Sequence, residues 1–159
     1  LDRLESVVLP GTGLPFADGA FDLSFCTEVL EHVEHLEATG AELERVTRPG
    51  GILVVSTPNY RNVMGVVKAV MDRRSGRQDW DPWHAHAGGF ERPMTAGQLR
   101  RTFPRCDVLA ERGADYAFAL GITNLRVRRR LSRYLLVRPG RLSVLAPFGM
   151  QYFLVLRRR

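Results

Sequence analysis

The chain has 159 residues, 45% of them apolar and 25% charged, proportions of an ordinary globular protein about one domain long that buries a real core. No apolar run approaches the ~20 residues of a membrane-spanning helix, and the opening residues lack the basic, apolar and small-residue order of a signal peptide. The net charge of +6 is uneven: residues 1–47 are rich in Asp and Glu, no acidic residue follows Asp115, and arginines cluster from Arg126 to Arg159, an asymmetry that suits an anionic partner, either nucleic acid or a membrane surface.

In chain order, Ser6-Val-Val-Leu9 is a short β-branched strand signal, broken by Pro10-Gly-Thr-Gly13. Leu1 is no initiator Met and leads almost directly into that strand, which suggests a chain whose beginning has been cut off. Phe21 to Thr27 alternates apolar and polar residues and predicts a second strand. A helix is expected over Glu37 to Thr47, with Leu36, Leu43 and Val46 on one side and Pro49-Gly-Gly51 as its stop. Ile52-Leu-Val-Val-Ser56 is a continuous apolar run, the pattern of a strand buried on both faces, and Pro58 ends it.

Val63 to Met71 predicts a further helix. The polar stretch from Asp72 to Arg92 has no period, and the long connection 60–94 is of the length that serves as a substrate loop or lid. Thr95 and Gln98 hold the N-cap and capping-box positions of a short helix. Cys106–Glu111 and Gln151–Leu156 predict a closing antiparallel pair of strands. Cys26 and Cys106 are far apart with no CxxC, the usage of free thiols in a reducing cytoplasm. Alternating strands and helices of this kind give an α/β fold with a largely parallel sheet.

Two stretches, "LPFADGAFDLSFCTEVLEHV" and "ELERVTRPGGILVVSTPN", together covering about residues 14–59, resemble class I S-adenosylmethionine-dependent methyltransferases of the broad type 11 group. The first supplies an LPF-plus-FD element before that family's fourth strand, and the second the R-V-x-[KR]-P-G-G turn before its fifth. The resemblance implies a Rossmann-like methyltransferase sheet of order 3-2-1-4-5-7-6. This chain would hold strands 3 to 7 and lack the first two, ending in a C-terminal antiparallel hairpin. The glycine-rich loop and the ribose-binding acid, which belong to the two missing strands, are not in this sequence. Residues 1–159 would thus be a partial methyltransferase domain, expected to bind the cofactor weakly without upstream residues.

By the same resemblance, S-adenosylmethionine would contact Gly11 (through its N–H), Leu14, Cys26, Thr27 and Glu28. Pro10 stands where relatives often carry an Asp that meets the adenine amine. Phe16 and Phe21 are read as core aromatics. Glu28, Glu31 and His32 fall at i, i+3 and i+4, which on a helix would let them meet. Two methyltransferase branches carry a metal set of this E-x-x-E-H form: ubiquinone-pathway O-methyltransferases and small-RNA terminal 2′-O-methyltransferases. The second branch also resembles Ser56-Thr-Pro-Asn-Tyr60 and "HAHAGGFERPMT" here, although His86 lies further from Phe90 and Arg92 replaces a tryptophan. A Mg²⁺, Mn²⁺ or Zn²⁺ site would then comprise Glu28, Glu31, His32 and His86. Many type 11 members carry E-V-L-E-H-V with no metal, and there Glu28 and His32 line the cleft. In that case His86 or His84 would serve as general base.

Finally, 123–141 predicts a basic amphipathic insertion. Val127, Leu131, Tyr134 and Leu135 form one stripe, with Arg126, Arg129, Arg130 and Arg133 opposite. Such a helix lies on an anionic membrane, contacts RNA phosphates, or packs on a core with its arginines in solvent. Three functions remain open: methylation of a small-molecule O or C acceptor, metal-dependent RNA 2′-O-methylation, and an inactive chain acting as a basic binding module.

Overall fold

The computed structural model describes residues 13–75, 94–116, 124–136 and 148–159, together with 122 and 146. In chain order these form β1 (Phe21–Thr27), α1 (Leu36–Val46), β2 (Thr47–Pro58), α2 (Val63–Ser75), α3 (Ala96–Arg101), β3 (Cys106–Ala114), α4 (Leu125–Leu136) and β4 (Gln151–Arg158). The strand expected at Ser6–Leu9 lies outside the described residues.

The strands form one sheet in the order β1-β2-β4-β3. β1 runs parallel to β2, whereas β4 is antiparallel to both β2 and β3. The described strands are the later part of the expected sheet, with the last strand inserted between its neighbours; one of their three pairings is parallel, because the described residues hold its antiparallel end. β3 and β4 pair directly, but the connection between them carries α4 rather than a tight turn.

One face of the sheet carries the core. Cys26, Leu53, Val55, Leu154 and Leu156 are buried there in one cluster with Leu36, Leu99 and Phe103 from the α1 and α3 side. The register aligns these side chains in cross-strand pairs: Cys26 beside Val55, Val55 beside Leu154, and Leu53 beside Leu156. On the opposite face Leu23 and Phe25 are exposed, and Ile52 and Val54 only half-buried. The apolar run of β2 is therefore fully buried on one side only.

Local chemistry explains the boundaries. Thr47 ends α1 by donating its hydroxyl to the Leu43 carbonyl at 2.7 Å, and it meets the Ser24 hydroxyl at 2.7 Å. Pro49-Gly-Gly51 does follow the helix, but it forms an irregularity inside β2, where the register slips between Phe21–Thr47 and Leu23–Ile52. Gly50 takes a φ of 78° there, a left-handed conformation that glycine reaches without strain. Asn62 caps α2, its side-chain oxygen accepting the Gly65 N–H at 2.9 Å, and that helix runs past the expected Met71. The capping box at Thr95 and Gln98 forms as expected.

Gly40 lets α1 approach the end of α3 closely. A Cβ there would stand 2.6 Å from Thr102 Cγ2 and 2.7 Å from the Thr102 carbonyl oxygen. Gly40→Ala therefore destabilises the protein by a net ~1–2 kcal/mol, because overpacking outweighs the gain in helix propensity; a lower urea midpoint at unchanged slope is the expected readout. Leu53→Ala, at a fully buried position, should cost about 2–5 kcal/mol in the same assay.

Candidate functional site

The parallel strands β1 and β2 direct their carboxyl ends to the same side, the place where open α/β sheets bind ligands. At this edge Glu28 follows β1 with a φ of 54°, a left-handed conformation uncommon for a residue with a side chain. Two hydrogen bonds hold it. Its N–H donates to the Ser56 carbonyl at 3.0 Å, and the Ser56 hydroxyl donates to Glu28 Oε1 at 2.8 Å. The ends of the two strands are thereby locked together, and the carboxylate is fixed at the edge of the sheet. Backbone strain of this kind clusters at ligand and active sites.

The residues after Glu28 correct one expectation. Glu28, Glu31 and His32 do not share a helical turn: the chain from 28 to 35 is a set of bends and turns, and α1 begins only at Leu36. The positive φ at Glu28 prevents a helix from starting there. Glu31 is turned inward and is 1% exposed, whereas His32 remains partly open, with its Nε2 3.7 Å from Glu31 Oε1. Among the described residues no group of three or more His, Cys, Asp and Glu side chains gathers as a metal site. His84 and His86 lie outside the described residues, as does Gly11.

Cys26 and Thr27, at the end of β1, were expected beside the cofactor. Cys26 instead faces the core, where burial and then the Glu31 carboxylate push its thiol up to about 12. Thr27 is exposed at the strand end. Leu14 is half-buried, and its backbone is held at both polar atoms. Its N–H donates to Glu42 Oε2 at 2.8 Å, and its carbonyl accepts from Arg45 at 2.9 Å. The expected core placement of Phe16 and Phe21 is also corrected. Both are exposed, and they pack edge to face on each other with centroids 4.9 Å apart, each shielding the other where the loop enters the strand.

Arg45 is the organising residue that sequence reasoning passed over. Its guanidinium donates to the carbonyls of Leu14 and Phe16, to Asp18 Oδ1 at 2.8 Å, and to both oxygens of Glu42. Its own carbonyl accepts the Gly19 N–H at 2.8 Å. The Glu42 carboxyl is held below its ordinary range chiefly by the hydrogen bond from Arg45. The sequence signal was present, since Glu42 and Arg45 stand at i, i+3 on a predicted helix, but their shared target, the 14–19 loop, is visible only in three dimensions.

The far side of the edge is built by two asparagines. Asn59 donates its N–H to the Met150 carbonyl at 2.7 Å and its side-chain amide to the Gly149 carbonyl at 2.9 Å. Asn62 reaches the same Gly149 carbonyl at 3.2 Å. A parallel bridge pairs Asn59 with Met94. The end of β2, the start of β4 and the return from the 60–94 connection thus converge on Asn59.

Residues 2–55 match the family described as "Methyltransferase domain". A 46-residue stretch is 52% identical to an uncharacterized methyltransferase of Mycolicibacterium gilvum (strain PYR-GCK), and the same length is 50% identical to one of Mycobacterium avium (strain 104). The match covers 29% of this chain and 18% of each relative. Among solved structures, an S-adenosylmethionine-dependent methyltransferase of Thermotoga maritima, described as a possible histamine N-methyltransferase, superposes with a TM-score of 0.56 at 13% identity, over 94% of this chain and 61% of that one. The cyclase SpnF superposes with a TM-score of 0.55 at 21% identity, over 96% and 54%. The chain therefore spans little more than half the length of these neighbours. The family match covers residues 2–55, about a third of the chain, and the described fold is similar to the folds of these solved neighbours.

Both cysteines should be inert in the folded protein. Cys106, like Cys26, is pushed up to about 12, by burial and then by Glu44. At about pH 8 neither should react with a thiol reagent until the chain is unfolded. Because both folded values lie above the unfolded value of 9.0, the thiols contribute stability that is full below pH 9 and is lost as pH rises toward about 12. Denaturant midpoints measured across that range should fall with increasing pH.

Proposed function

We propose that this chain forms part of a methyltransferase that uses S-adenosylmethionine to methylate an oxygen or carbon nucleophile of a small molecule. The observation that carries this reading is Glu28: a strained, hydrogen-bonded carboxylate at the carboxyl end of β1, inside the stretch that matches the family. The residues present fit one wall of a cofactor site. Leu14 offers an apolar surface for the adenine, held in place by Arg45 and Glu42, and Thr27 and Glu28 offer polar groups at the strand end. Gly11 would add a backbone N–H. When bound, the cofactor supplies an electrophilic methyl group for in-line displacement.

The chain's own part is orientation and proton handling. Ser56 keeps the Glu28 carboxylate from rotating, and the Asn59 junction fixes where the 60–94 connection leaves and rejoins the site. His86, with His84 as the alternative, takes the acceptor's proton on an imidazole nitrogen. Cys26 keeps its proton and stays inside the core, so its role is packing rather than cofactor contact.

In the intact protein, Glu28→Gln retains the Ser56 hydrogen bond but removes the charge. It should weaken cofactor binding by about tenfold, one charge-assisted hydrogen bond's worth, with thermal stability little changed; calorimetric titration with S-adenosylmethionine reads the first and a melting curve the second. Equal affinity in the variant would sink the assignment of Glu28. Chelation separates the two roles open to Glu31 and His32. Unchanged methyl transfer in chelator is the expected result and leaves His32 as a cleft residue and Glu31 as a buried one. A loss restored by Mn²⁺ or Mg²⁺ would make them ligands together with Glu28 and His86.

A further inference from the structure

The connection between β3 and β4 leaves the sheet at the candidate site. In register, Ala114 pairs with Gln151, and Gln151 pairs with Pro58, so both ends of the segment carrying α4 stand beside the Asn59 junction. Asn124 starts the helix, its side-chain oxygen accepting the N–H groups of Arg126 and Val127 at 3.1 and 3.3 Å.

Two properties of α4 need a common explanation. Val127 and Leu131 share its apolar side yet stand 46% and 38% exposed. A helix packed on a core buries that stripe, so the core-packing alternative does not describe these side chains. Arg126, Arg129 and Arg130 are also exposed, and Leu125–Leu136 contains no acidic residue. Arg126 and Arg130 are i, i+4 like charges, and Arg126 sits in the first turn, where the helix dipole disfavours a cation. These arginines oppose the helix they belong to, and an anionic surface relieves that opposition.

We propose that α4 is an interfacial helix that docks the protein, site end first, onto an anionic lipid surface. Val127 and Leu131 enter the apolar boundary while Arg126, Arg129 and Arg130 meet the headgroup phosphates. A nucleic-acid backbone would satisfy the arginines alone and leave the apolar stripe in water, so a bilayer accounts for both sides of the helix. α2, which leaves the same sheet end, adds exposed Val66, Val67 and Val70. This docking is independent of the methyl-transfer reading.

Co-sedimentation of the whole chain with phosphatidylglycerol-containing vesicles tests it, with pure phosphatidylcholine vesicles as the neutral arm. The chain should bind the anionic vesicles in a salt-sensitive way and the neutral ones weakly. Arg126→Gln with Arg130→Gln should lower the partition coefficient about 25-fold, roughly fivefold per arginine. Val127→Ser with Leu131→Ser should lower it by at least about tenfold. Melting curves matching the parent protein establish that both variants, placed at exposed positions, remain folded. Equal binding to neutral and anionic vesicles, or full binding by the serine variant, overturns the proposal. Salt-sensitive binding of a single-stranded RNA without vesicle binding also overturns it, and assigns the arginines to nucleic acid.

Discussion

Arg45 joins the end of α1 to the loop that leads into β1. It lies one residue from the end of α1, accepts a backbone hydrogen bond from the loop before β1, and donates to two carbonyls and one carboxylate of that same loop. A guanidinium suits this task because its donors are planar and diverge, so one side chain can satisfy several acceptors at fixed angles. Glu42 completes the arrangement by holding the guanidinium from one side and the Leu14 N–H from the other. Loop 14–19 is thus positioned by polar contacts, even though its own composition is largely apolar.

This arrangement gives physical content to two sequence stretches that are separate along the chain. The LPF element supplies acceptors, and the E-L-E-R-V element supplies the groups that bind them. Downstream, the same pattern recurs at Glu44, which is buried and accepts the Arg105 N–H at 2.9 Å, tying α1 to the entrance of β3. Asn59 does the equivalent work between β2 and β4. At these three places a side chain that bonds to distant backbone registers one stretch of the chain against another.

The regular elements were legible because period and punctuation are local. The alternation in Phe21–Thr27, the apolar run after Gly51 and the capping pair Thr95 and Gln98 each describe their own backbone. The site was less legible. Glu28, Glu31 and His32 have helical spacing, but the conformation of Glu28 depends on the Ser56 carbonyl across the sheet, an interaction no window of sequence contains. The family resemblance implies cofactor contact for Cys26, yet strand alternation turns it toward the core while Thr27 faces out. Phe16 and Phe21 show the converse: aromatic identity suggested burial, and proximity gave them each other.

The position of β4 has a consequence for how the molecule is made. It follows β3 in the chain yet lies between β2 and β3, so β2, already paired with β1, and β3 are joined into one sheet only after Gln151–Arg158 has been synthesised. Until then β1, β2 and α1 can associate, but β3 is an unpaired ribbon with apolar residues on its edge. Nascent chains would pass through a state with the β2 edge and the whole of β3 unpaired, the condition under which pairing between molecules competes with folding. A fold built this way is closed from the inside, by a late insertion rather than by growth at its border, and its vulnerability lies in the interval before that insertion.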